Sequence, residues 1–236
     1  MKTLLLTAGL LLSGTVHASD TLWQRAVALS AYNRDAVPGD WVERQEIFDL
    51  EGESHLVLRT HVGFSQTHSK IDVTLIEATS NGIDLTSELL ETFEDRKPEF
   101  TLKPQYNPFQ PSEQKNVSAK PEGRTRREGE TVLVAYDYTH RTDDGRWRGV
   151  AWIDDVTGTP VELNARLIGL PIMDDKDQIR EVVLNVTFRT GEEREWHIAK
   201  VTLFKRAILN NFPYADFHAT IETAIILDDY WKIRFR

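Results

Sequence analysis

Cysteine is absent from the 236 residues. An exported chain without it holds together by core packing alone, and it lacks the residue on which a bacterial lipoprotein carries its lipid. Long apolar runs are missing beyond the first residues, so no later stretch approaches the ~20 apolar residues of a spanning helix. Basic charge is outnumbered: 28 Lys and Arg stand against 37 Asp and Glu, a formal net charge of −9. That balance argues against nucleic acid or anionic lipid headgroups as a bulk partner.

Catalytic and metal motifs are missing too. Ser54 and Ser65 each follow a glycine by two residues, but neither has the second glycine of a nucleophile elbow. Gly123-Arg124-Thr125-Arg126-Arg127-Glu128-Gly129 is basic and glycine-flanked, yet it lacks the Lys-Ser ending of a phosphate loop and reads as a solvated turn. His55 and His61 share a strand parity but lie about 20 Å apart at ~3.3 Å per residue, too far for one zinc ion. Four Asp-Asp pairs, at 143–144, 154–155, 174–175 and 228–229, sit at predicted turns, where Asp bonds its own backbone. Asp174-Asp175-Lys176-Asp177 is the best calcium candidate of a weak set. The chain therefore reads as a non-enzyme with no cofactor and no metal.

What is present begins with an export signal. Lys2 gives the positive start, residues 4–12 the apolar core, and Val16-His17-Ala18 the small residues of a cleavage site after about Ala18. Cleavage leaves 218 residues as a single domain, 19–236, and loss of the charge on Lys2 takes the net −9 to −10. Its short, single-lysine style suits a bacterium and a periplasmic destination.

Residues 131–235 then read as one antiparallel meander. Apolar-alternating runs at 131–140, 146–154, 160–168, 178–189, 194–208, 214–227 and 230–235 are separated by polar turns such as Asp143-Asp144-Gly145 and Thr190-Gly191-Glu192. Upstream, a hairpin spans 41–50 and 55–64, and a third strand at 70–79 ends at Asn81-Gly82. Helices are expected at 21–32, capped by Asp20 and stopped by Pro38-Gly39-Asp40, and at 85–96 with Leu89, Leu90 and Phe93 as its stripe. Proline at 98, 104, 108, 111 and 121 makes about 97–122 a long extended loop. The expected fold is mainly β, with two or three helices covering a wide sheet.

An apolar sheet face of that width must be buried against something, and a ligand is one choice. Val134, Tyr136, Trp152, Leu184, Val186, Phe188, Phe204 and Ile225 are the candidate lining residues, chosen for face and size. Trp147 beside Gly149 and Ala151 fits either a groove or ordinary close packing.

Several segments resemble the outer-membrane lipoprotein carrier and related periplasmic lipoprotein-sorting proteins. Gly149-Val150-Ala151-Trp152-Ile153-Asp154 followed by Thr157-Gly158-Thr159-Pro160-Val161 is similar to that group's signature hairpin. Leu170-Pro171, Leu203-Phe204-Lys205-Arg206 with Tyr214 and Phe217, and the earlier Asn107-Pro108-Phe109 extend the likeness over roughly 100–235. The N-terminal half has no matching pattern, so no single functional residue transfers. The resemblance implies an open half-barrel, a strongly curved antiparallel sheet whose hollow shields acyl chains, with lipid or acylated protein and an inner- or outer-membrane envelope protein as partners. The alternative is an envelope protein–protein interaction module without a ligand cavity.

Overall fold

The computed structural model describes residues 21–31, 36–65, 70–95, 106–143, 145–169, 172–173, 177–190, 196–210, 212 and 216–232. The segment expected to be an export signal, Asp20, Asp174-Asp175-Lys176 and residues 96–105 lie outside them. Helix α1 spans Leu22–Ser30. Its cap is Thr21 rather than Asp20: the Thr21 side chain accepts from the Gln24 amide and the Gln24 side chain answers the Thr21 amide, a reciprocal pair that satisfies two orphan donors.

Strands β1 (Ala36–Phe48), β2 (Ser54–Ser65), β3 (Lys70–Ser80) and the two-residue β4 (Ile83–Asp84) follow. Pro38-Gly39-Asp40 is not a break but the start of β1. Proline is tolerated there because Pro38 pairs with β12 alone, the β2 ladder begins at Asp40, and the register slips between Pro38 and Trp41. Helix α2 (Thr86–Asp95) leans on β3, tied by the Leu85 amide to the Ala78 carbonyl at 2.8 Å.

The expected proline-rich loop is more ordered than its composition suggests. A 3-10 turn occupies Pro111–Asn116, and β5 occupies Val117–Glu128, so 123–128 is strand and only Gly129 lies in the turn. The strand tolerates Pro121 because it forms one end of the sheet, with a register break between Pro121 and Thr125.

The meander comprises β6 (Thr131–Thr142), β7 (Gly145–Asp154), β8 (Pro160–Ile168), the two-residue β9 (Ile172–Met173), β10 (Asp177–Thr190), β11 (Trp196–Leu209) and β12 (Phe217–Lys232). Asp228-Asp229 is not a turn. The two strands expected at 214–227 and 230–235 are one strand through 232, because β1 pairs along its whole length.

Among the described residues, all strands are antiparallel in one sheet of twelve, ordered β4-β3-β2-β1-β12-β11-β10-β8-β7-β6-β5, with β9 pairing β10 from the side. The ends β4 and β5 do not pair, so the sheet is a curved, open half-barrel. The β1–β12 ladder joins the N-terminal hairpin to the C-terminal meander and makes them one surface.

Candidate functional site: the concave face

Cross-strand partners share a sheet face, so the register assigns every side chain to one face or the other. Starting from Tyr136 opposite Ala151, Ala151 opposite Leu163 and Leu163 opposite Val186, one face continues through Val201, Ile225, Glu43, Thr60 and Leu75. This is the concave face, and it falls into two parts.

The first part, over β6, β7, β8 and β10, is covered by α1 and residues 106–116. Trp23 of α1 packs against Phe109 with ring centroids 4.5 Å apart, and against Tyr138 at 5.7 Å. Phe109 in turn meets Trp196 at 5.6 Å and Phe188 at 6.0 Å, and Phe188 meets Trp196 at 5.1 Å, all edge-on. Edge-to-face packing of this kind adds roughly 0.5–1.5 kcal/mol per pair beyond area burial. Phe109 has no exposed surface at all.

Hydrogen bonds pin this cover. Trp23 Nε1 donates to Gln114 Oε1 at 3.0 Å, and Gln114 Nε2 donates to the Pro108 and Gln110 carbonyls at 2.8 and 2.9 Å. The Ser30 hydroxyl donates to the Phe109 carbonyl at 2.9 Å. Glu113 Oε2 lies 3.1 Å from Nε2 of the buried His140, and that bond holds the Glu113 carboxyl below its usual range. Burial pushes the Tyr106 and Tyr138 phenols well above theirs.

Beneath the cover the sheet is closely packed. A Cβ on Gly149 would stand 2.1 Å from the Asn164 carbonyl oxygen, so only glycine lets β7 and β8 meet there. Trp147 is buried beside it, which answers the groove-or-packing question in favour of packing.

The second part of the concave face, over β1, β2, β11 and β12, buries Trp41, Val62 and Leu227 in the same cluster but keeps a looser surface beyond them. Val201, Leu203, Ile225 and Leu58 are only partly buried. Glu43 and Gln45 on β1, Thr60 opposite Glu43, and Thr223 opposite Gln45 form a contiguous polar belt across it. Partial burial raises the Glu43 carboxyl above its ordinary 4.5. The belt separates the large apolar cluster from a smaller one made by Ile47, Ala207, Leu209 and Ala219, with Leu56, Phe217 and Ile221 against it.

Of the eight sequence-chosen lining residues, Val134, Tyr136, Leu184, Val186, Phe188 and Ile225 share the concave face and belong to, or pack against, its large cluster. Trp152 and Phe204 point the other way. Trp152 pairs with Ala135 and Glu162 on the convex face, where the Arg126 guanidinium lies 4.6 Å from its ring centroid. Phe204 pairs with Val183 and Glu222 on that same face. Face parity inside one strand was readable, but relating strands to one another needs the register and its bulges, as at Ile179/Glu181 and Thr187/Phe188. The candidate lining residues did not include Phe109, although Asn107-Pro108-Phe109 carried part of the resemblance, and they missed the polar belt, whose members alternate within strands that individually look ordinary.

No family model matches the sequence, and no curated protein matches it. Among solved structures, the chain is similar to a crystal structure of a Vibrio parahaemolyticus domain described as an outer membrane lipoprotein-sorting protein, covering 89% of this chain and 92% of that one. The sequence identity is 8% and the TM-score 0.34, values at which the match assigns no function to this chain.

Proposed function

We propose that this protein is a periplasmic binding protein that takes an apolar ligand, a lipid or the acyl chain of a lipoprotein, into its concave face for carriage or sensing in the envelope. The observation that supports this reading is the half-buried apolar surface of Val201, Leu203, Ile225 and Leu58 on the inside of an open curved sheet. A hydrophobic interior normally closes around such residues. Burying acyl methylenes there gains ~0.8 kcal/mol each, on the order of 10 kcal/mol for a sixteen-carbon chain.

The polar belt narrows the ligand class. Glu43, Gln45, Thr60 and Thr223 offer hydrogen-bonding groups beside the apolar surface, so the ligand is amphipathic: a hydrocarbon tail with an ester, amide or hydroxyl group. Tyr136, Leu184, Val186 and Phe188 become available to the tail only when Phe109 withdraws, which makes residues 106–116 the movable cover.

Native mass spectrometry of protein purified from an envelope extract, followed by lipid analysis, tests the reading. A co-purifying lipid or acylated peptide is the expected result, together with binding of a fluorescent long-chain acyl probe that Phe109→Ala strengthens. A clean apo mass with no probe binding, in both the parent and Phe109→Ala, sinks it. The runner-up is the interaction module without a cavity. It draws on the tight filling under α1 and on exposed Ile76, Ile83, Leu89 and Leu90 around β3 and α2. Crosslinking to an envelope partner in the absence of any lipid selects it.

A further inference from the structure

Besides Arg44 and Arg59, which oppose each other across β1–β2, two groups of arginines on the convex face have opposite fates. Near β5, Arg126 contacts Glu128 at 2.8 Å and Glu162 at 2.9 Å over Trp152, and Arg124 pairs with Glu122. At the opposite end of the strands, Arg141, Arg146, Arg148, Arg166, Arg180 and Arg206 are all exposed. Four of these form two directly opposed pairs: Arg146 faces Arg141 across β6–β7, and Arg148 faces Arg166 across β7–β8. Like charges directly opposite are unfavourable in a sheet, so this row costs stability.

Neutralisation within the row is slight. Glu181 bridges Arg166 at 2.8 Å and Arg206 at 3.5 Å. Among the described residues, Arg141, Arg146 and Arg148 have no carboxylate partner, and Asp143 stands at the β6–β7 turn beyond them. Two shallow grooves follow the row. One of about 480 Å³ is lined by Arg166, Ile168, Arg180 and Arg206, and one of about 300 Å³ by Lys115, Arg141 and Arg146. Ile168 faces Arg146 and is 36% exposed between the two grooves.

We propose that this arginine row docks the protein on a bilayer surface rich in phosphate headgroups. This goes beyond the ligand reading and stands without it. Guanidinium forks match phosphate oxygens in pairs of parallel hydrogen bonds. A row spread over five strands, open and shallow, matches an extended polyanionic plane and not one small anion. The exposed isoleucine between the grooves is placed to enter the headgroup layer as the arginines engage it. Net charge −9 keeps the remaining surface off such a plane, so docking has one orientation.

Vesicle co-sedimentation of the purified protein tests this, with phosphatidylglycerol-rich and pure phosphatidylcholine vesicles compared at low and high salt. Binding to the anionic vesicles alone, abolished by high salt, is expected. Arg141→Gln/Arg146→Gln/Arg148→Gln should weaken it on the order of 100-fold, at about tenfold or less per arginine. Arg124→Gln/Arg126→Gln should bind as the parent does. Arg180→Gln/Arg206→Gln repeats the test should the triple variant misfold. Equal binding to both vesicle types, parent-like binding by both row variants, loss of binding to millimolar inorganic phosphate, or capture by polyglutamate without vesicle binding each overturns the proposal.

Discussion

The two parts of the concave face are built on one continuous sheet, yet one is finished and the other is not. Over β6–β8 and β10, a helix and a strap bring Trp23 and Phe109 onto an aromatic floor and bury it. Over β1, β2, β11 and β12 the same alternating pattern presents Val201, Leu203 and Ile225 half-buried, interrupted by Glu43 and its neighbours. The contrast teaches that alternation makes a face, while the segments crossing it decide whether that face is core or site.

The sharpest way to break the contrast is Phe109→Ala. Removing a fully buried ring from the finished part should cost about 3–5 kcal/mol, whereas Leu203→Ala in the open part should cost about 1 kcal/mol. Urea denaturation of both variants reads the difference. Equal losses would mean the two parts are packed alike.

Gly149→Ala comes next. The new methyl group meets the Asn164 carbonyl, and β7 and β8 must separate, for a loss of about 1–3 kcal/mol in the same assay. The Gly63→Ala control should lose far less, since a Cβ there meets nothing nearer than a His61 ring carbon at 3.7 Å.

Glu43→Gln sharpens the comparison from the open side. The folded pKa of Glu43 is raised, so its stabilising share is complete below the unfolded value of about 4.5 and is lost as pH climbs through the folded one. The variant should therefore melt slightly higher than the parent at pH 7 and equally at pH 4. A parent that melts higher at pH 7 would give the carboxylate a cationic partner.

The smallest effect belongs to His55, outside both parts at the β1–β2 turn. Hydrogen bonding to Asp49 at 2.9 Å raises the His55 pKa and lowers that of Asp49. The pair's contribution is complete between the unfolded values, 3.8 and 6.5, and fades as pH rises through the raised histidine value or falls through the lowered aspartate one. His55→Gln should flatten the pH dependence of amide exchange in the hairpin; an unchanged profile assigns the pair no role.

Much of the scaffold was legible. Alternation and turn chemistry located β2, β3, β6, β7, β8, β10 and β11 within a few residues, and the helix expected at 21–32 is α1 at Leu22–Ser30. Asp154 behaves as a turn aspartate should, accepting from the Val156 and Thr157 amides at 2.9 and 2.8 Å. Strands containing proline were misread at β1 and β5, because what permits Pro38 and Pro121 is the lack of a second ladder beside them. The lining residues were legible in part, failing at Trp152 and Phe204, where local alternation cannot say which way a strand faces its neighbours.

By itself the sequence determined a mainly antiparallel chain with large apolar faces, no disulfides and an acidic balance, because these depend on residue type and short-range period. Tertiary structure decided the rest. It put Phe109 into the hollow, drew Glu43, Gln45, Thr60 and Thr223 into one belt, and gathered scattered arginines into a basic row on an acidic protein. Those are long-range juxtapositions set by register, and register depends on which strands meet, a property no local stretch of chain carries.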